Sequence, residues 1–255
     1  MLIWQAIILG VVQGITEWLP VSSSGHLAII QNLFGLEGTV AFDVVLHLAT
    51  LLVIFLVFWK DIWRILKAVF TLNFKDKYGK FALFIIIGSV PIALVGYFLN
   101  SFIKGLFYNL LAVGVALLFS GFLLFISEKW VGKNPVKWWQ SILIGIAQAV
   151  AIVPGVSRSG ATISSSLLLK INRQDAVKFS FLLAIPAIIG ASVSELSQTV
   201  ISNWSPVVIG SLFSVLVGYV ALKWLIKIIT EKKFHLFSYY CWLIGIVSII
   251  LYFVI

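Results

Sequence analysis

The residues AIVPGVSRSG, Ala151–Gly160, decide how this chain folds. They place helix breakers, serines and an arginine in the middle of an apolar stretch that runs from Trp138 to Leu169. One helical crossing of a bilayer needs roughly 20 residues, so this stretch is too long for one regular span. Lipid cannot hydrogen-bond the free backbone groups of such a turn. We therefore expect the turn to be buried in protein or to line a watery cavity within the membrane.

The composition of the whole chain is typical of a membrane protein. Of its 255 residues, 61% are hydrophobic and 11% are charged, and the mean hydropathy is +1.11. A soluble domain carries about 25% charged residues. The net charge of +9 comes from short basic runs between apolar stretches, which favours cytoplasmic loops over a nucleic-acid-binding surface. We expect a single integral-membrane domain over residues 1–255, in the plasma membrane and with no nucleic-acid partner.

The distribution of positive charge predicts the topology. Four connectors are basic, and the positive-inside rule assigns them to the cytoplasm. These connectors are Lys60–Lys80, Lys129–Lys137, Lys170–Lys178 and Lys223–Lys233. The chain thus leaves the cytoplasm after Lys137 and has returned by Lys170, so residues 138–169 are predicted to form a re-entrant hairpin. Counting the other apolar stretches predicts six transmembrane helices, with both termini outside.

Residues 1–36 repeat the organisation of this hairpin. The polar turn EWLPVSSSGH, Glu17–His26, separates two apolar arms. With a shift of 135 positions, the pattern GxxQ…VSxSG in Gly10–Gly25 falls on Gly145–Gly160. One hairpin enters from outside and the other from the cytoplasm, so the repeat is inverted, as in proteins whose broken helices meet near the midplane. The predicted fold is therefore an all-α polytopic membrane protein, with six transmembrane helices and two re-entrant helix hairpins in an inverted-topology repeat.

Glu17 and Arg158 lie in the two hairpin turns, where an unpaired charge would cost about 2.5–3.5 kcal/mol. Serines and free backbone N–H groups flank both residues, and a Ser/Gly turn that opens a helix can bind an anion. Arginine adds a planar fork for phosphate oxygens. Together with an imidazole these groups are typical of phosphoryl transfer, with Glu17 and Gln13 able to hold a hard divalent cation. The alternative is a buried ion pair that only joins the hairpins. His47, on an apolar stretch, is predicted to be a packing residue.

Two blocks resemble the undecaprenyl-diphosphate phosphatase family of the bacitracin-resistance type. They are GVVQGITEWLPVSSSGH at Gly10–His26 and PGVSRSGATIS at Pro154–Ser164, and FSFLLAIPAIIGA at Phe179–Ala191 is also similar. The resemblance implies a hydrolase that removes the terminal phosphate of a polyprenyl diphosphate with a divalent cation, Mg²⁺ or Ca²⁺, and recycles the lipid carrier. It also implies a homodimer. Where the family has Glu or Gln, this chain has Gln13, so Glu17 is the only carboxylate in that motif.

The resemblance further implies roles for individual residues. Glu17, Ser23, His26 and Arg158 are the predicted catalytic residues, with Ser23 as the nucleophile or the hydroxyl nearest to it and His26 as general base or acid. Attack by water or by His26 itself remains open. Glu17 and Gln13 are the predicted cation ligands. The predicted substrate-binding residues lie in or next to the two Ser/Gly turns. They are Ser22, Ser24, Gly25, Ser157, Ser159, Gly160 and Thr162. We expect the two hairpin tips to touch and the four catalytic side chains to line one cleft that opens to the outer face.

Two other classes of function compete with this hypothesis. An inverted repeat with a polar site at the midplane also suits a transporter or a flippase for polyprenyl phosphate. A structural membrane protein would use the polar hairpin groups only to specify packing.

Overall fold

The computed structural model describes residues 1–36, 39–106, 109–130, 132–197, 201 and 203–254. Within these residues the chain is helical, and its only β pairing is an isolated bridge between Asn134 and Ile171. The helices are α1 (Ile3–Trp18), α2 (Ser23–Leu33), α3 (Val40–Val57), α4 (Trp59–Phe70), α5 (Lys77–Leu106), α6 (Leu110–Ser127), α7 (Trp138–Val150), α8 (Arg158–Leu168), α9 (Arg173–Leu196), α10 (Trp204–Thr230) and α11 (Leu236–Val254).

Six of these helices are long and apolar enough to cross a membrane, which confirms the predicted number of spans. They are α3, α5, α6, α9, α10 and α11. The helices α1, α2, α7 and α8 have 16, 11, 13 and 11 residues, fewer than the roughly 20 that a full crossing needs. They pair as α1 with α2 and α7 with α8, which gives the two predicted hairpins. Three spans, α3, α5 and α6, separate the hairpins along the chain, so the hairpins enter the membrane from opposite faces.

Helix α4 lies in the basic stretch that the sequence predicts to be a connector between two spans. It has 12 residues, so it is too short to cross, and one of its faces carries the exposed Trp59 and Trp63. Its length and exposed tryptophans are typical of a helix that lies along a membrane surface. Its Asp61 accepts a hydrogen bond of 2.7 Å from Lys178 of α9, and this contact ties α4 to the helix bundle.

The packing of the hairpins follows the repeat. Helix α1 packs along α10 and helix α7 packs along α5. A Cβ atom on Gly10 would lie 2.2 Å from the carbonyl oxygen of Gly210, and a Cβ atom on Gly145 would lie 2.2 Å from that of Gly88. Gly10 and Gly145 are the residues that the 135-position shift relates. Small residues let membrane helices approach backbone to backbone, so the repeat specifies the same close contact twice.

The core holds the end of α1 in place. Trp18 is fully buried, and its ring meets Phe181 of α9 edge to face, with 5.6 Å between the ring centroids. Ile54 of α3 and Leu222 of α10 are fully buried in the same cluster. Because Trp18 directly follows Glu17, this packing also fixes the position of the Glu17 carboxylate.

Candidate active site

The turns of the two hairpins touch, as the sequence predicted. The Ser22 hydroxyl accepts hydrogen bonds from the backbone N–H of Gly25, at 3.3 Å, and of Gly155 in the other hairpin, at 3.2 Å. Ser22 has a φ of 67°, a conformation that costs a non-glycine residue about 1–3 kcal/mol and is common at functional sites. Gly155 has a φ of 96°, and a Cβ there would lie 2.4 Å from the carbonyl oxygen of Val113. Only glycine fits at this point of contact.

The second helix of each hairpin begins with the same cap. Ser22 caps α2, and Ser157 caps α8 by accepting a hydrogen bond of 3.1 Å from the N–H of Gly160. The first helical residues are then Ser23 in α2 and Arg158 in α8, which are also related by the 135-position shift. The repeat thus brings a hydroxyl and a guanidinium to equivalent helix N-termini, where backbone N–H groups and the helix dipole favour an anion.

Glu17 is the centre of the polar cluster between the turns. One carboxylate oxygen, Oε2, accepts hydrogen bonds from Ser23 Oγ at 2.7 Å and from Gln13 Nε2 at 3.1 Å. The other, Oε1, is paired with Nη2 of Arg158, so the acid of the first hairpin meets the arginine of the second. Among the described residues, Nη2 is the only guanidinium nitrogen of Arg158 that forms a hydrogen bond. Its remaining N–H groups are thus available to an incoming anion.

His47 is a member of this cluster that the sequence analysis missed, since we expected a packing residue there. Its Nε2 lies 3.3 Å from Glu17 Oε2, and its Nδ1 lies 2.7 Å from the backbone carbonyl of Asp43. A carbonyl oxygen only accepts, so Nδ1 carries a hydrogen. Nε2 is then the ring nitrogen that faces the Glu17 carboxylate. The signal that could have found this role is the helical spacing of Asp43, His47 and Thr50, which puts three polar side chains on one face of an otherwise apolar α3.

The side chains of the cluster are largely buried, whereas the sequence predicts that they line an open cleft. The side chain of Glu17 is 4% exposed, that of Arg158 is 16% exposed and that of His47 is 26% exposed. A diphosphate would therefore have to separate Arg158 from Glu17, or insert beside them, to reach Ser23.

His26 is the predicted catalytic residue that the structure does not join to this cluster. Its Nδ1 lies 2.8 Å from the carbonyl oxygen of Ser22, and its Nε2 lies 2.8 Å from the hydroxyl of Tyr240 in α11. The contacts of the described residues give it no hydrogen bond to Glu17, Ser23 or Arg158. Both ring nitrogens have hydrogen-bond partners outside the cluster, and no sequence pattern pairs His26 with a residue of α11.

The predicted substrate-binding hydroxyls mostly serve the turns themselves. Ser157 and Ser159 share a hydrogen bond of 3.3 Å, and Ser22 and Ser24 share the equivalent bond of 3.2 Å. Thr162 donates to the Arg158 carbonyl oxygen at 2.8 Å and is fully buried. The seven residues named from the sequence are all close to the turns, and those that are buried are Ser22, Gly25, Ser157, Ser159, Gly160 and Thr162. These six residues are part of the turn scaffold, and their contact with substrate stays a prediction.

The chain is similar to known proteins along almost its whole length. A family profile described as bacitracin resistance protein BacA matches residues 6–247. This chain belongs to the BacA family. It is 38% identical to a protein of Halothermothrix orenii and 40% identical to one of Methanosphaera stadtmanae, each over 98% of both chains. It is 40% identical to a protein of Thermosipho africanus over 95% of this chain and 97% of the relative. All three relatives are named undecaprenyl-diphosphatase.

In this BacA family member the predicted cation ligands form an incomplete set that suits a hard ion. Gln13 is fully buried, and its Oε1 has no hydrogen-bond partner, so an oxygen ligand lies next to the Glu17 carboxylate. The described residues contain no group of three or more His, Cys, Asp and Glu side chains that could hold a metal by themselves. Mg²⁺ is commonly held by one or two carboxylates together with substrate phosphates and water. The residues fit such a cation when a diphosphate supplies the remaining oxygens.

Proposed function

We propose that this protein hydrolyses undecaprenyl diphosphate, or a similar long-chain polyprenyl diphosphate, to the monophosphate and inorganic phosphate, and so recycles the lipid carrier. Membership of the BacA family and the names of the relatives support this activity. The observation that supports an active site at these residues is that Glu17 contacts both Ser23 and Arg158 where the two hairpins touch. The apolar surface of the protein lets the isoprenoid tail stay in lipid while the charged head enters the polar cluster.

Arg158 and the two helix N-termini are suited to binding the diphosphate. A guanidinium donates through a planar fork that matches two phosphate oxygens. Arg158 uses Nη2 toward Glu17 and has further N–H groups for the substrate. As negative charge on the transferring phosphoryl group is redistributed in the transition state, the Arg158 N–H groups that do not bond to Glu17 can stabilise it.

Ser23 is our candidate for the nucleophile. Its hydroxyl already donates to Glu17 at 2.7 Å, so the carboxylate is placed to take the proton as Ser23 Oγ forms a bond to the terminal phosphorus. The bond between that phosphorus and the bridging oxygen breaks, and the polyprenyl monophosphate leaves. Water then releases inorganic phosphate from the serine. Direct attack by water that Ser23 and Glu17 orient gives the same products, and His26 is the proposed general acid or base of either route.

A divalent cation, Mg²⁺ or Ca²⁺, is the proposed cofactor, with Glu17 and Gln13 as the residues that would hold it. When bound, such an ion neutralises charge on the diphosphate and on the leaving phosphate. Gln13 fixes Glu17 through its Nε2 and presents its Oε1 as the second oxygen ligand. Only one of these two ligands is charged, so substrate oxygens are needed to complete the site.

The transporter and flippase hypotheses are not favoured, because the relatives at about 40% identity are named as phosphatases. A homodimer, which the family resemblance implies, stays a prediction.

Hydrolysis in detergent is the direct test of the proposed activity. We expect purified protein to release inorganic phosphate from a long-chain polyprenyl diphosphate in the presence of a divalent cation, and to stop when the cation is chelated. Release of phosphate in detergent needs no second compartment, which separates catalysis from transport. If phosphate stays bound to the lipid in detergent while the substrate crosses sealed vesicles, the protein is a transporter instead.

The orientation in the membrane is a further part of the proposal. We infer that both termini lie outside and that the active site opens to the outer face, because the basic connectors between spans belong in the cytoplasm. Six crossings put the two termini on one side. Lys133 lies in one of the basic connectors, and Ser205 lies at the opposite end of the spans; both are exposed.

Single cysteines at these two positions test the orientation. On intact cells, a membrane-impermeant maleimide is expected to label Ser205→Cys but to label Lys133→Cys only after permeabilisation. The native Cys241 is buried and gives little background. The proposed orientation is wrong if the two positions show the reverse pattern.

A further inference from the structure

The hydrogen bonds of His26 determine which of its ring nitrogens can exchange a proton. Nδ1 lies 2.8 Å from the Ser22 carbonyl oxygen, which can only accept. Nδ1 therefore carries a hydrogen, and Nε2 of the neutral ring is an acceptor. His26 itself is 8% exposed and lies in the first turn and a half of α2, the helix whose N-terminus presents Ser23.

The group that meets Nε2 is the phenol of Tyr240. The two atoms are 2.8 Å apart, and since Nε2 accepts, the Tyr240 hydroxyl donates. The ring planes are within 6° of parallel, with 5.6 Å between their centroids. The phenol thus bonds to Nε2 while its ring lies parallel to the imidazole, and it fixes the tautomer of His26.

Tyr240 reaches the first hairpin from outside both motifs. It lies in α11, which packs mainly along α6, and it is 214 positions from His26. Its neighbour Cys241 is fully buried and donates to the carbonyl oxygen of Pro20 in the hairpin turn, at 3.4 Å. Two consecutive residues of α11 thus hold the turn of the first hairpin and the ring of His26.

We propose that Tyr240 is the positioning residue of His26 in the phosphatase reaction. The hydroxyl of Tyr240 keeps Nε2 of the neutral ring unprotonated, so that this nitrogen acts as the general base by taking up a proton through that hydroxyl. This role rests on the proposed function. Removing an outer partner that orients a histidine typically costs about 10–100-fold in activity. The same arrangement explains why His26 is joined to α11 rather than to Glu17.

Tyr240→Phe tests the proposal because it keeps the ring and removes only the donor. We expect kcat to fall about tenfold or more, with KM unchanged. The matched control is Tyr239→Phe, since Tyr239 is also a half-exposed tyrosine of α11 but packs on Phe125 and Trp242. That variant should keep the wild-type kcat.

A second pair of measurements distinguishes positioning from a general loss of structure. In the His26→Asn background, Tyr240→Phe is expected to cause no further loss, because its effect passes through His26. The chain has three histidines, so ¹⁵N-labelled histidine gives few ring signals, and His26→Asn assigns those of His26. Tyr240→Phe should shift the His26 Nε2 signal, and Tyr239→Phe should not.

Three results would overturn the proposal: a wild-type kcat for Tyr240→Phe, an equal loss in the His26→Asn background, or unchanged His26 signals. The nuclear magnetic resonance measurement does not need turnover. If wild-type protein releases no phosphate while Tyr240→Phe still shifts the His26 signal, the contact is real and it is the proposed function that fails.

Discussion

Glu17→Gln is expected to cut turnover at least about a hundredfold while the protein stays folded. The carboxylate accepts from Ser23 and Gln13 and pairs with Arg158, and an amide of the same shape keeps an oxygen for one of these donors. It cannot take the proton of Ser23, and its interaction with a cation is weaker. Losing one transition-state contact of roughly 3 kcal/mol corresponds to this factor. Phosphate release by the purified variant measures the loss, and its elution volume and thermal unfolding report the fold.

The chain offers a matched control for this substitution. Glu128 forms the other largely buried ion pair with an arginine, at 2.6 Å from Arg173, and both side chains are 12% exposed. Glu128→Gln makes the same chemical change in a similar environment outside the hairpin turns. It should lower the unfolding temperature but keep most of the turnover. If Glu128→Gln is as inactive as Glu17→Gln, the effect at Glu17 is one of folding rather than of catalysis.

Arg158→Lys is expected to reduce kcat/KM by about a hundredfold or more, although the charge is kept. An ammonium is a point charge on a flexible stem, so it cannot hold Glu17 with one nitrogen and two phosphate oxygens with the others. Donors of this type are worth about 10²–10³ in rate. Arg173→Lys, the partner change in the Glu128 pair, is the control that should keep most of the activity. Wild-type kinetics for Arg158→Lys would show that the guanidinium fork is not used.

The double variant Glu17→Gln with Arg158→Lys shows whether the two residues act as one unit. They are in direct contact across the hairpins, and effects of contacting residues in one network are not additive. The double variant should therefore lose much less activity than the product of the two single losses. A fully multiplicative loss would mean that the ion pair seen here does not take part in catalysis.

The sequence determined the class of protein, the spans and the principal charged pair. Long apolar stretches, basic connectors and two helix-breaking turns are local patterns, and each follows from the need to satisfy the backbone in lipid. The repeat of GxxQ…VSxSG related the two hairpins before any contact was known, and it accounts for the equivalent positions of Ser23 and Arg158. Charged side chains within a membrane pair with each other because lipid does not solvate them. Glu17 and Arg158 could therefore be paired from sequence although they are 141 positions apart.

Only the tertiary structure decided what surrounds that pair. His47 lies on α3 and Tyr240 on α11, and most residues of both helices are apolar. In a soluble helix the apolar face marks the buried side, but a membrane helix meets lipid on one side and protein on the other, so apolar residues occur on both. Which turn of α3 meets Glu17, and which tyrosine of α11 meets His26, therefore depends on how the helices are rotated and stacked. The same packing leaves the polar cluster nearly closed. The turn hydroxyls form hydrogen bonds within the hairpins, because the backbone N–H groups that the interrupted helices leave unpaired need acceptors.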